Sequence, residues 1–384
     1  MFSFLLAIIY LAFISLGLPD SLLGSGWPAM YDSLGVPISF AGIISMIIAG
    51  CTIISSLLSD RVTSRFGAGG VTAVSVLMTA VALFGFSVSN SFWLLCLFAI
   101  PYGLGAGSVD AALNNYVALH YSSRHMSWLH CFWGVGVSLS PYIMGACLAN
   151  GQGWQAGYRW VSIIQIVLTA FIFLSLPLWQ KRKNESLNEK REPVGIKNAL
   201  KIKGVPFVLL TFFSYCALET TAGLWASSYF VEFKGTTAET AARFASLFYL
   251  GITFGRFLSG FIADKLGDKT LIRLGIVVCT FGVILVILPV KINVFSLVGL
   301  LVIGLGCSPI YPSIIHATPN NFGAENSQAI IGIQMASAYC GSTFMPPLFG
   351  LLAELTTIAL YPFYLLIFAL LMFVMSEKLF KKVA

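Results

Sequence analysis

Three carboxylates interrupt long apolar stretches of this sequence, and they are the residues with the clearest potential for chemistry. Asp20, Asp110 and Glu219 each lie in a mostly apolar segment. Placing a charged carboxylate in a bilayer costs roughly 2.5–3.5 kcal/mol, so such residues usually face a cavity or a partner. Burial favours the neutral form of a carboxyl group, which suits reversible proton binding. The three residues are therefore predicted proton-coupling groups.

Asp110 is the strongest of the three candidates because of its spacing. Gly103, Gly107, Asp110 and Asn114 are separated by four, three and four residues, so they share one helix face. Glycines let a neighbouring helix approach closely, and the Asp110–Asn114 pair is then expected to point into the bundle. The structural alternative is a protonated Asp110 that bonds a backbone carbonyl.

Asp20 and Glu219 occupy related places in the sequence, 199 residues apart. Asp20 follows Pro19, at which a helix should bend and release a carbonyl group. Two alternatives stay open. Asp20 could lie near the outer interface, and Glu219 could form an ion pair with Arg256.

Amide and aromatic side chains near these carboxylates are candidates for binding a small polar substrate. Planar amides can bind neighbouring hydroxyl groups, and an aromatic face can cover the apolar side of a sugar ring. The predicted substrate-binding residues are Asn114, Asn115, His130, Trp133, Gln165, Tyr215, Trp225 and Gln334. For the aromatics the alternative is helix packing, and for His130 it is a structural hydrogen bond.

Motifs of enzymes and metal sites do not occur in the sequence. It contains no GxxxxGK[ST] loop, no HExxH and no GxSxG. The eight cysteines lie in apolar stretches without a CxxC pair or a metal-ligand spacing. We therefore predict neither an enzyme nor a cofactor or metal site.

Apolar segments long enough to span a bilayer fill most of the chain. Of its 384 residues, 58% are hydrophobic and 10% charged, whereas soluble domains carry about a quarter charged residues. A spanning helix needs about 20 apolar residues. We predict an all-α membrane protein of twelve transmembrane helices, numbered here as spans 1 to 12. Their predicted ranges are 2–28, 38–58, 70–89, 92–119, 127–149, 159–179, 205–231, 241–263, 271–290, 294–317, 327–353 and 358–376.

Basic residues lie mostly on one side of the predicted membrane. With the N-terminus inside, 17 of the 22 lysines and arginines fall in inward loops, the linker and the C-terminal tail. This asymmetry follows the positive-inside rule and explains the net charge of +7 without a nucleic-acid partner. We predict a multi-pass protein of the cytoplasmic (inner) membrane with both termini in the cytoplasm. The first apolar segment lacks a basic n-region and a cleavage site, so it is interpreted as span 1.

The two halves of the chain repeat one another. Ser-Asp-Arg at 59–61 matches Ala-Asp-Lys at 263–265, and Gly-Leu-Gly at 103–105 recurs at 304–306. The Gly-x4-Pro-x3-Gly pattern from Gly136 recurs from Gly341. We predict two pseudo-symmetric six-helix bundles, 1–180 and 205–384, with the transport site at their interface. The basic linker 181–204 is, from Pro193, either a short surface helix or disordered.

The loop motif at 260–269, Gly-Phe-Ile-Ala-Asp-Lys-Leu-Gly-Asp-Lys, resembles the motif that follows spans 2 and 8 in the major facilitator superfamily. An aspartate there can receive a helix N-terminus or pair with a base and hold the cytoplasmic side shut. The resemblance implies a cytoplasmic gate formed by Asp60, Arg61, Asp264, Lys265 and Arg256. The first copy departs from the motif, because Ser56 stands where glycine is usual.

Three further segments, 103–115, 215–229 and 246–256, resemble spans 4, 7 and 8 of the fucose–galactose–glucose:proton symporter family. That resemblance implies a functional acid in span 1 and another in span 4. Asp110 replaces the commoner glutamate of the family, and His130 and Trp133 stand where fucose permease has glutamine and asparagine. Fucose itself is therefore not the expected substrate.

Together these features predict a proton-coupled symporter that takes up a monosaccharide or a similar small polar solute by alternating access. Its expected partners are that solute, protons and the lipid bilayer, and we expect a monomer. The same-class alternative is a proton-coupled antiporter that exports a drug or metabolite. A sensor that binds without transport, a uniporter and a sodium-coupled carrier also stay open.

Overall fold

The chain folds almost entirely into α-helices. The structure is a computed structural model that describes residues 4–37, 40–185, 194–236, 238–288 and 294–383, and no strand occurs in these ranges. Its helices are α1 Phe4–Gly17, α2 Leu22–Leu34, α3 Ala41–Val88, α4 Phe92–His120, α5 Ser123–Ala149, α6 Gly153–Glu185, α7 Ile196–Ala199, α8 Val205–Glu232, α9 Ala238–Leu266, α10 Asp268–Ile287, α11 Val294–Cys307, α12 Ile310–Phe322, α13 Ala324–Leu355 and α14 Tyr361–Lys382, with a 3₁₀ turn at Ile358–Leu360.

The prediction of twelve spans is confirmed. Within the described ranges, nine segments are long and apolar enough to cross a membrane. One of them, the 48-residue α3, contributes spans 2 and 3, because Gly67 (φ +73°) breaks its helical backbone. Helices α9 and α13 have the length of spans 8 and 11 but carry more polar residues. Span 1 consists of α1 and α2, and span 10 consists of α11 and α12.

Span 1 is broken where the proline predicts a bend. Helix α1 ends at Gly17 and α2 begins at Leu22, with Pro19 and Asp20 in the turn between them. The turn is closed by backbone hydrogen bonds from Asp20 N to Gly17 O (3.2 Å) and from Leu22 N to Pro19 O (3.2 Å). Asp20 therefore lies within span 1, with a helix on each side of it, and not at the end of the span.

Glycine contacts between helices repeat in the two halves. A Cβ atom added to Gly136 of span 5 would overlap the carbonyl oxygen of Ile14 in span 1, and one added to Gly341 of span 11 would press on that of Phe213 in span 7. Gly103 of span 4 likewise lies against span 2, and Gly304 of span 10 against span 8. The sequence repeat is therefore also a repeat of helix packing, in which small residues let backbones touch.

Two compact units make up the chain. The first contains residues 1–116 and 129–195, and the second contains residues 117–128 and 196–384. The loop between spans 4 and 5 thus belongs to the second unit. Residues 186–193 of the predicted linker lie outside the described residues. In the described part of the segment that begins at Pro193, residues 194–204, the helix is the four-residue α7.

Candidate functional site

A chain of three polar side chains crosses the interior of the first unit. Asn114 Nδ2 donates to Asp110 Oδ1 (2.7 Å) and to the Asp110 backbone oxygen (3.0 Å), four residues back on α4. Asn114 Oδ1 pairs with His130 Nε2 of α5 at 3.1 Å. With the amide in this orientation its oxygen can only accept, so the proton lies on His130 Nε2. The chain links the acid of span 4 to the histidine of span 5.

This polar chain is enclosed by protein. Asp110 is 5% exposed and Asn114 is fully buried, and the ring of Phe13 packs edge-on against His130 at 5.4 Å. The predicted binding residues Asn114 and His130 therefore bond each other in this structure. A substrate hydroxyl would have to displace these hydrogen bonds to reach them.

Asp20 forms an accessible acid site in the break of span 1. Tyr102 Oη of α4 donates to Asp20 Oδ1 at 3.1 Å, and Trp133 Nε1 of α5 donates to Oδ2 at 2.9 Å. As whole residues, Asp20 is exposed and Trp133 is partly exposed. The structure thus brings the predicted residues Asp20 and Trp133 together. Sequence analysis missed Tyr102, although it directly precedes Gly103 of the glycine face.

Two other predicted amides of the first unit have different surroundings. Both ends of the Gln165 amide bond Ser15, through its hydroxyl and its backbone oxygen, so this buried side chain ties span 6 to span 1. Asn115 is also buried, and its Oδ1 has no hydrogen-bond partner among the described residues. Gln165 therefore links spans 1 and 6 by hydrogen bonds, whereas Asn115 Oδ1 is a buried acceptor without a hydrogen bond among the described residues.

An ion pair occupies the middle of the second unit. Arg256 Nη2 of α9 lies 3.3 Å from Glu219 Oε1 of α8, and the buried Tyr215 lies beside both groups. This is the alternative that the sequence left open for Glu219. It places Arg256 inside the unit and in contact with Glu219.

Aromatic rings pack around Tyr215, the residue beside this ion pair. The ring of Tyr215 lies 5.9 Å from that of Tyr311, and Phe212 lies 4.6 Å from Tyr311. Tyr311 is partly exposed, and its hydroxyl contacts Met335 Sδ at 3.1 Å. Sequence analysis did not select Tyr311, whose only signal was a tyrosine between two prolines in an apolar span.

The remaining predicted binding residues of the second unit bond neighbouring helices. Trp225 Nε1 donates to the Pro346 carbonyl oxygen at 2.9 Å, and its ring lies on Gly350. Gln334 is fully buried and exchanges hydrogen bonds with Thr318 at 3.1 and 3.2 Å. Trp225, which is partly exposed, is the better placed of the two to meet a solute.

Asp264, a predicted gate residue, binds the loop between spans 4 and 5. Its carboxylate lies 2.9 Å from Arg124 Nη2 and accepts hydrogen bonds from Arg124 N (3.1 Å) and Ser122 Oγ (3.3 Å). In the first unit, Asp60 accepts a hydrogen bond from Val194 N at 3.0 Å. Arg61 and Lys265 are exposed.

A second contact holds the same loop. Asp268 accepts from Ser123 Oγ (2.6 Å) and pairs with His316 Nδ1 (2.7 Å), while His316 Nε2 lies 3.1 Å from the Tyr121 backbone oxygen. A carbonyl oxygen only accepts, so Nε2 carries a proton. Sequence analysis missed these partners, because they come from three separate segments of the chain.

Among the residues that the structure describes, no group of three or more His, Cys, Asp or Glu side chains is placed to hold a metal ion. What the geometry does supply is one accessible carboxylate with neutral donors, one buried carboxylate, and one ion-paired carboxylate. These differ in the freedom with which each could exchange a proton.

Comparisons with known proteins agree with this architecture. The family model described as the Major Facilitator Superfamily matches residues 9–330 and, in a second match, 207–383. The chain is 24% identical to the uncharacterized transporter y4wD of Sinorhizobium fredii over 92% of either chain.

Among solved structures, the proton:xylose symporter XylE superposes with a TM-score of 0.81 at 13% identity, over 99% of this chain and 95% of XylE. The E. coli fucose:proton symporter FucP superposes with a TM-score of 0.77 at 15% identity, over 99% of this chain and 98% of that one. At these identities the structural likeness establishes the fold.

Proposed function

Because the chain belongs to the major facilitator superfamily and is thus a membrane transporter, we propose that it is a proton-coupled symporter for a monosaccharide or a similar small polar solute. The observation that carries this proposal is the Asp20 site. It combines an exposed carboxylate in the break of a span with two neutral hydrogen-bond donors and an aromatic face.

The donors at Asp20 suit a group that gains and loses a proton. The indole of Trp133 can only donate, so Oδ2 stays an acceptor in both states of the carboxyl group. The hydroxyl of Tyr102 can donate or accept. A proton on Oδ1 would therefore turn this hydrogen bond around without breaking it, and the site could hold either state with its partners in place.

The other two carboxylates support different roles within the proposal. Asp110 is buried against Asn114, so a change in its protonation would act on span 5 through the Asn114–His130 bond. Glu219 is paired with Arg256, and its protonation would leave a buried guanidinium without this counter-charge. We assign proton exchange with solvent to Asp20, coupling between spans to Asp110, and pairing to Glu219.

Substrate binding is proposed for the exposed parts of these sites. Trp133 can cover the apolar face of a sugar ring next to the Asp20 carboxylate, and Tyr311 and Trp225 are the partly exposed aromatics of the second unit. The proton:xylose symporter and the fucose:proton symporter that share the fold support a sugar as the substrate class.

The loop contacts of Asp264 and Asp268 are proposed to form the predicted cytoplasmic gate. Within the second unit they hold residues 117–128 to α9, α10 and α12 through one ion pair, one histidine and two serines. In this proposal, release of these contacts frees the loop that follows span 4, the span that carries Asp110. In this proposal the protein lies in the cytoplasmic membrane with both termini inside.

Transport in proteoliposomes under an imposed proton gradient tests the proposal. For a symporter, an inward gradient drives accumulation of a radiolabelled sugar from a monosaccharide panel, and a protonophore abolishes it. For the antiporter alternative, only an outward gradient drives uptake. Asp20→Asn imitates the protonated carboxyl group, so we expect it to retain sugar exchange but to lose accumulation.

The matched control is Asp32→Asn, which changes an exposed aspartate in α2 and should accumulate sugar as the wild type does. An Asp20→Asn protein that still accumulates sugar in a protonophore-sensitive way would refute the role of Asp20. Absence of transport for every sugar under both gradients would refute the substrate class.

A further inference from the structure

An open cavity of about 270 Å³ lies at the start of span 7 in the second unit. Its lining comes from two places, the turn that leads into α8 and the end of α14. The lining residues are Leu200, Lys201, Ile202, Lys203, Gly204, Pro206, Phe207 and Lys382. None of the sites described above includes any of them.

Positive charge dominates this cavity, which we call the lysine pocket. Lys201, Lys203 and Lys382 are all exposed, and its described lining contains no acidic side chain. Lys197 on α7 and Lys381 beside Lys382 are exposed on the same two segments. Several ammonium groups around one opening attract an anion with spread negative charge, such as a phosphate ester.

Apolar surface lies directly beside these charges. Ile196 is 38% exposed and Leu200 is 42% exposed, on the same short segment as the lysines, and Phe207 adds an aromatic edge at the first turn of span 7. A segment with exposed aliphatic and basic side chains lies in the headgroup region of a bilayer. A free phosphate ion would use only the lysines, whereas a phospholipid would use both kinds of surface.

The backbone at Gly204, which lines the lysine pocket, packs tightly against side chains of spans 10 and 12. Gly204 has φ +95°, and a Cβ added there would lie 3.1 Å from Phe322 and from Val383 and 3.3 Å from Leu379. The chain therefore turns tightly at Gly204 before span 7 begins at Val205. Because spans 7 and 12 have their ends here, the opening lies at the level where lipid headgroups are found.

We propose that the lysine pocket binds the headgroup phosphate of an anionic phospholipid from the predicted cytoplasmic leaflet. The lysines hold the phosphate, and the aliphatic side chains of Ile196 and Leu200 contact the upper acyl chain. Basic pockets between spans on this side of a membrane are suited to such headgroups. The inference does not depend on which solute or ion is transported.

Binding of a fluorescent phosphatidylglycerol to the purified full-length protein, with phosphatidylcholine as the neutral lipid, tests the proposal. The triple variant K201Q/K203Q/K382Q should weaken phosphatidylglycerol binding on the order of 100-fold, given the usual contribution of each basic residue near an anionic surface. The arginine variant K201R/K203R/K382R should keep the binding. The charge-matched control R65Q/R159Q/K234Q, outside the pocket, should bind as the wild type does.

Two further measurements separate the sources of phosphate. Leu200→Gln should weaken lipid binding while it leaves the lysines intact, and millimolar inorganic phosphate should compete poorly. Equal losses in the triple variant and its control would show general charge attraction and overturn the proposal. Effective competition by inorganic phosphate, with no effect of Leu200→Gln, would show a soluble-anion site and overturn it as well. Size-exclusion profiles establish that each variant is folded.

Discussion

Replacing Glu219 with glutamine removes the carboxylate that faces Arg256 in the second unit. The Arg256 side chain is 5% exposed and Glu219 is 22% exposed. Arginine cannot lose its proton in a protein, so its charge would stay buried without this counter-charge. Breaking a buried pair from one side costs about 3–5 kcal/mol. Because Glu219 has some access to solvent, we expect the lower end, about 3 kcal/mol.

Replacing Arg256 with glutamine should lower the free energy of unfolding by less than replacing Glu219 does. In Arg256→Gln the remaining Glu219 can bind a proton and become neutral, whereas arginine cannot become neutral by losing its proton. In the double variant E219Q/R256Q, two neutral amides face each other and most of the stability should return. We expect a coupling of about 2–3 kcal/mol between the two positions, at the upper end of values for residues in contact.

A double-mutant cycle on the free energy of unfolding in mixed micelles measures this coupling. Sugar accumulation by the double variant then separates structure from function, since a folded E219Q/R256Q protein that accumulates sugar does not need Glu219 for proton coupling. Additive effects of the two single variants would refute the reasoning. A Glu219→Gln protein as stable as the wild type would also refute it, because the ion pair would then contribute nothing to the free energy of unfolding.

Three other changes test separate parts of the structure. Trp133→Phe keeps the ring but removes the hydrogen bond to Asp20, worth about 1.5–3 kcal/mol for a charged acceptor, and should slow proton-driven uptake at least about tenfold while sugar exchange is less affected. Asp264→Asn weakens an exposed ion pair, so we expect at most a severalfold change in uptake rate, from about 1 kcal/mol or less. Gly136→Leu forces a side chain into the Ile14 carbonyl and should abolish folded protein on size-exclusion chromatography, whereas Gly145→Leu, where a Cβ meets nothing within 4 Å, should be tolerated.

Hydropathy was enough to predict the twelve spans, and the family was indicated by the resemblance of the loop motif at 260–269. In lipid every backbone group must be bonded within the protein, so an apolar stretch of sufficient length has to be a helix. The bend at Pro19 and the glycine contacts of span 4 followed from the same local rules, since they depend on the residues of one segment. The residue types that could bind protons were visible for the same reason.

The partners of those residues were decided by tertiary structure. Asp20 meets Tyr102 and Trp133 only because the break of span 1 lies against spans 4 and 5, and Arg256 meets Glu219 only because α9 packs on α8. Helical periodicity tells which residues share a face but not which face of another helix lies opposite. Pairings across helices depend on interhelical distances of a few ångströms, and no spacing within a single segment contains them.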